Sequence, residues 1–108
     1  MNDKTKHSAS DTKLVTSGRH PDQHAGAVNP PVFRASTILH ADLETLESKG
    51  QRYTYGRRGT PTTDAFAEAM TALEGGAGTV LLPSGLAAVT TAILALTASG
   101  DHILLTES

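Results

Sequence analysis

The sequence predicts an α/β chain in which an extended N-terminal arm leads into the opening of a parallel-sheet domain. Three observations predict it. Most apolar residues lie after Thr63. Residues 79–108 read as strand, helix, strand with short joins. Residues 13–60 are broken by prolines and glycines and show almost no periodicity. The chain has 108 residues, enough for one domain, and 38% of them are hydrophobic. That is below the roughly 45–50% of typical globular domains, a range that also counts glycine.

Met1 to about Thr12 is polar and aperiodic and reads as a disordered tail. "KLVTSGR" reads as a short turn of helix ended by Gly18. "HPDQHAGAVNPPVF" is extended or irregular, because each proline disfavours helix in the residue before it. "RASTIL" has strand character without a nearby partner. "ADLETLESKG" is a short helix with Leu43 and Leu46 on one side, Glu44 and Glu47 on the solvated face, and Gly50 as its stop. A structureless stretch of this length inside one compact domain is unusual, so residues 13–60 read as an arm that packs on something else, such as another subunit.

After Pro61 the pattern becomes regular. "TTDAFAEAMTALEGG" spaces Phe66, Met70 and Leu73 on one stripe of a helix, read as core, with Thr62 or Thr63 as cap and Gly75-Gly76 as stop. "TVLLP" is a short buried strand. "GLAAVTTAILALTASG" is a helix stopped at Gly100. "DHILLTES" is a second strand, with His102 at its edge. Such a unit is a right-handed crossover with parallel strands. Two parallel strands and one helix leave sheet faces bare, so residues 61–108 read as the start of a larger domain.

Composition excludes several functions. Net charge is −2, and the one basic pair, Arg57-Arg58, is too small a footprint for nucleic acid. Cysteine is absent, which removes disulfides and thiolate metal sites. The apolar run around Leu86 to Ala98 is too short to span a bilayer. "MNDKTKHSAS" has no apolar stretch of a secretory signal, so the expected compartment is the cytoplasm. His20 and His24 have metal-like spacing, but Pro21 between them and the lack of a third ligand nearby argue against a site.

Two stretches carry anion chemistry. In "PSGLAA" a strand gives way to a helix, where free amides and the helix dipole favour an anion. Ser84 is either an ordinary N-cap or a hydroxyl donor to a phosphate oxygen, and Gly85 permits close backbone approach. In "YTYGRRGTPTT" Arg57 has the planar fork suited to phosphate. If this stretch is extended, Tyr55 shares a face with Arg57 while Arg58 points elsewhere. The plainer reading of this second stretch is a solvated loop with a surface ion pair.

Taken together, Ala27 to Ser108 resembles the start of the pyridoxal-phosphate enzymes of cysteine and methionine metabolism. "Y-x-R" matches at Tyr55 and Arg57, and "SG(M/L)AA" matches at Ser84, Gly85 and Leu86. "ALEGG" at 72–76 and "GDHIL" at 100–104 fall where the family has like segments. "VNPPVFRASTILH" followed by "YGRRGTPT" looks like the bacterial β-lyase branch. The γ-synthases and γ-lyases more often carry an asparagine before the proline, where this chain has Gly59-Thr60-Pro61.

The resemblance implies an aspartate-aminotransferase-like fold, pyridoxal 5'-phosphate as cofactor and cystathionine as substrate. It also implies a dimer-based homo-oligomer, a tetramer in the full enzyme. Tyr55 and Arg57 would hold the cofactor phosphate of the neighbouring subunit, and the Ser84–Leu86 corner that of its own. The resemblance further requires a Schiff-base lysine in an "S-x-T-K" context. Lys4, Lys6, Lys13 and Lys49 do not match it, and neither Asp101 nor Glu107 matches the family's pyridine-nitrogen partner. No catalytic residue is therefore assigned, and the expectation is an N-terminal portion, inactive alone.

Overall fold

The computed structural model describes residues 10–107. Four α-helices occur among them: α1 Ser10–Thr16, α2 Leu43–Ser48, α3 Pro61–Glu74 and α4 Gly85–Leu96. Single 3-10 turns form at Pro21–His24 and Gly56–Arg58. Ser10 to Thr12, assigned to the tail on sequence, belong to α1; residues 1–9 of that tail lie outside the described residues.

Each helix end has a local cause. α2 starts at Asp42, whose carboxylate accepts from the Thr45 amide at 2.7 Å. It stops at Lys49, which takes the left-handed conformation (φ 53°) expected of Gly50. α3 starts at Thr60, not at Thr62 or Thr63. Thr60 and Thr63 cap each other's backbone amides, a reciprocal arrangement that leaves Pro61 at the first helical position, where its missing N–H costs nothing. Gly75 ends α3 at φ 66°. α4 starts at Ser84, whose hydroxyl accepts from Ala87, and ends at Thr97 rather than Gly100.

No sheet ladder forms among the described residues. "TVLLP" and "DHILLTES" lie outside regular structure, and one isolated antiparallel bridge joins Thr37 to Tyr55. A strand exists only through its partner, and neither segment has one. Val80 is 80% exposed and Leu104 fully exposed, so "TVLLP" is not the buried strand expected. The structure is therefore mostly helical.

No hydrophobic side chain is buried among the described residues; Gly18 and Thr60 are the buried positions. The Phe66–Met70–Leu73 stripe does not form a core either, with Phe66 at 57% exposure. The Cα radius of gyration is 18.6 Å, against about 13 Å for a compact domain of this length. The chain packs at one main place, where α1 lies on α3. There Gly18 approaches the backbone so closely that a Cβ would meet the Ala65 carbonyl.

Candidate phosphate-binding loop and helix corner

With no apolar core, polar side chains on the first turn of α3 organise the arm. The Thr62 hydroxyl accepts from the Phe33 amide and donates to the Pro31 carbonyl, both at 2.8 Å. Asp64 Oδ2 accepts from Arg52 Nε at 3.0 Å and Nη2 at 2.6 Å, and from the Tyr53 hydroxyl at 2.7 Å. Asp64 raises the Arg52 pKa through this bond. The Tyr53 pKa is also raised, first by burial and then by its bond to Asp64. The Arg52 guanidinium lies 5.6 Å from the Tyr53 ring centre, within cation–π range. One turn along α3, Glu68 pairs with His20 at 2.8 Å and raises the pKa of that imidazole.

These contacts frame the loop that carries Tyr55 and Arg57. Tyr55 is extended and bridged to Thr37, and Gly56 donates to the Ser36 carbonyl at 2.7 Å. Gly56 sits so close to this strand that a Cβ would collide with the Ala35 carbonyl. After Tyr55 the chain turns: Gly56–Arg58 is a 3-10 turn closed by Arg58 N–H to the Tyr55 carbonyl at 2.8 Å. Strand alternation therefore does not put Tyr55 and Arg57 on one face. Arg57 and Arg58 both line one cleft of about 360 Å³ with Gly59, Thr63, Asp64 and the segment Thr79–Leu81. The ion pairs among the described residues are His20–Glu68 and Arg52–Asp64, so Arg57 and Arg58 take part in none.

The second predicted position is the start of α4. Ser84 caps Ala87 through its hydroxyl and Ala88 through its carbonyl, leaving the amides of Gly85 and Leu86 as the free donors of that turn. A Cβ on Gly85 would meet nothing within 4 Å, and Leu86 is 78% exposed. The corner is open around Gly85 and Leu86. None of Ser84, Gly85 or Leu86 lines the arginine cleft; the chain does not bring its two anion-directed features into one pocket. Two free guanidinium groups, and separately two free amides with a hydroxyl, are donor sets that fit a phosphate.

Sequence reading missed Arg52 and Asp64, and took Thr62 only as a candidate helix cap. Arg52 and Tyr53 stood beside the recognised motif and Asp64 in the first turn of the next helix, but their pairing depends on how the loop folds back. Of the histidine pair His20 and His24, His20 bonds Glu68 at 2.8 Å. No described helix is long and apolar enough to cross a membrane.

Residues 11–108 match the family described as Cys/Met metabolism PLP-dependent enzyme, and the chain belongs to it. Pyridoxal 5'-phosphate is the cofactor that membership implies. A Rhizobium johnstonii protein is 54% identical over 97 residues, covering 90% of this chain and 24% of its own length. The Escherichia coli protein named cystathionine beta-lyase MetC is 43% identical over 104 residues, 91% of this chain and 26% of its own. A Wolbachia pipientis protein named L-alanine/L-glutamate racemase is 33% identical over 109 residues, 88% of this chain and 27% of its own. The chain thus spans about a quarter of the length of the curated relatives it matches.

Proposed function

We propose that this chain is the opening portion of a cystathionine β-lyase, which splits cystathionine with water into homocysteine, pyruvate and ammonia. The observation that carries the reading is the identity to the E. coli β-lyase across 91% of the chain, joined to an arginine loop without ion pairs among the described residues. When bound, pyridoxal phosphate supplies the electron sink for the substrate's α-carbon. This chain's residues anchor the phosphate and transfer no protons. Tyr55 and Arg57 reach the phosphate of a neighbouring subunit, while the Gly85 and Leu86 amides and the Ser84 hydroxyl hold that of their own. Each charge-assisted bond contributes roughly 1.5–3 kcal/mol. The α/β fold, with 61–108 opening the cofactor domain and 13–60 making intersubunit contacts, belongs to the same proposal, as does a cytoplasmic oligomer. The 108-residue chain alone has no lyase activity on this reading.

Arg57→Ala in the full-length enzyme tests it. The expected outcome is weaker retention of pyridoxal phosphate, at least tenfold, with the defect in mixed dimers appearing in the partner subunit's site. Unchanged retention overturns the phosphate role, and a defect confined to the mutated subunit overturns the cross-interface assignment. The match to a racemase favours a second reading within the family. Product analysis separates the readings: homocysteine with pyruvate supports β-elimination, cysteine with 2-oxobutanoate a γ-lyase, and inverted alanine or glutamate a racemase.

A further inference from the structure

The Tyr55–Arg57 loop has no buried hydrophobic support, since no hydrophobic side chain is buried among the described residues. Its placement rests on the bridge to residues 36–37, on the Thr60–Thr63 cap at its exit, and on Asp64 at its entrance. Asp64 is the single acceptor for both residues that lead into the loop, Arg52 and Tyr53. It also lines the cleft that Arg57 and Arg58 share. A bare carboxylate there would compete with a phosphate for those guanidinium groups. Three donors converging on Oδ2 occupy it instead, and the Arg52 charge offsets its own.

From this geometry we infer that Asp64 is a positioning residue for the anion grip. It fixes the 52–53 entrance of the loop, and with its charge held by Arg52 it leaves Arg57 free for phosphate. The inference rests on the phosphate reading above and deepens it. Arg52 is 75% exposed and Asp64 36%, so their pairing adds little to overall stability. Loss of Asp64 therefore affects the grip more than the fold.

The test compares Asp64→Ala, Asp64→Glu and Arg57→Ala in the intact, cofactor-loaded enzyme carrying this segment. The probes are pyridoxal 5'-phosphate and pyridoxal, which lacks the phosphate. The expected result for Asp64→Ala is a five- to twentyfold loss of affinity for pyridoxal phosphate, unchanged affinity for pyridoxal and a Tm within 2 °C of the parent, on the order of a surface pair. Asp64→Glu restores at least half of the loss on a logarithmic scale. In the same variants, amide hydrogen exchange at Gly56 and Arg58 quickens with Ala and not with Glu. Equal losses for both probes mean a general structural role and overturn the inference. So does full affinity in Asp64→Ala while Arg57→Ala is impaired. Full affinity in Arg57→Ala instead removes the phosphate reading itself, whatever Asp64 does.

Discussion

At the residue scale, the chain compensates for its missing core with polar contacts aimed at α3. The bond from His20 to Glu68 ties the 3-10 turn at Pro21–His24 to the helix that also holds Arg52. Its pH dependence has a definite sign. Glu68 raises the His20 pKa above its ordinary 6.5, first through the hydrogen bond and then through charge. A group whose folded pKa is raised stabilises fully below the unfolded value and loses that contribution as pH climbs through the folded one. The contact should therefore be complete below about pH 6.5 and loosen above the shifted value. An NMR titration of the His20 ring should give a raised pKa that returns to the unfolded value in Glu68→Gln. A titration unaltered by that substitution would remove the pair from solution. Asp42 shows the opposite case: the Thr45 hydroxyl and then its amide hold its carboxyl below the usual range, as a helix cap does.

At the element scale, α3 holds α1, the turn at Pro21–His24 and the segments at 31–33 and 52–53. Its fourteen residues start with proline behind a threonine cap and stop at a left-handed glycine, so both ends were readable as helix signals. The cap was still misplaced by two or three residues. Thr60, Thr62 and Thr63 are equivalent on sequence, and only the turn at Gly56–Arg58 decides which hydroxyl faces the free amides. Thr60 is buried to 5% exposure, and replacing a threonine cap with alanine costs about 1 kcal/mol. Thr60→Ala should accelerate hydrogen exchange at the Thr63 amide on the order of fivefold and reduce helicity by circular dichroism. Unchanged exchange would mean that Pro61 alone starts the helix. α4 is the contrasting case. Its apolar residues run all round it, with Leu86, Leu94 and Leu96 each more than 70% exposed. A helix of that kind is stable only when buried on every side.

At the scale of the whole molecule, the accessible surface is 9464 Å², whereas a folded monomer of 11.2 kDa exposes about 5,700 Å². Exposed large hydrophobic side chains lie along the arm, on α4 and in the two unpaired segments. The isolated chain should therefore bind a hydrophobic dye such as ANS, self-associate on dilution series by sedimentation, and unfold in urea without a sharp cooperative transition. A single steep transition without dye binding would mean that the chain collapses on a core of its own. The same openness explains why the family is legible and the sheet is not. Tyr55, Arg57, Ser84, Gly85 and Leu86 form short local motifs, and local motifs survive in a sequence without their surroundings. The segments at 79–83 and 101–107 are strands only when other strands lie beside them.

By itself the sequence determined the family and the helices of residues 43–48, 61–74 and 85–96 within a few residues at each end. These depend on neighbours a few positions apart: caps, stops, apolar stripes and turn residues. Tertiary structure alone decided that Arg58 joins Arg57 in one cleft and that Asp64 gathers Arg52 and Tyr53. It also decided that His20 pairs with Glu68. Each of those contacts spans a loop whose closure depends on the balance of many weak polar bonds, and no local pattern of residues encodes that balance.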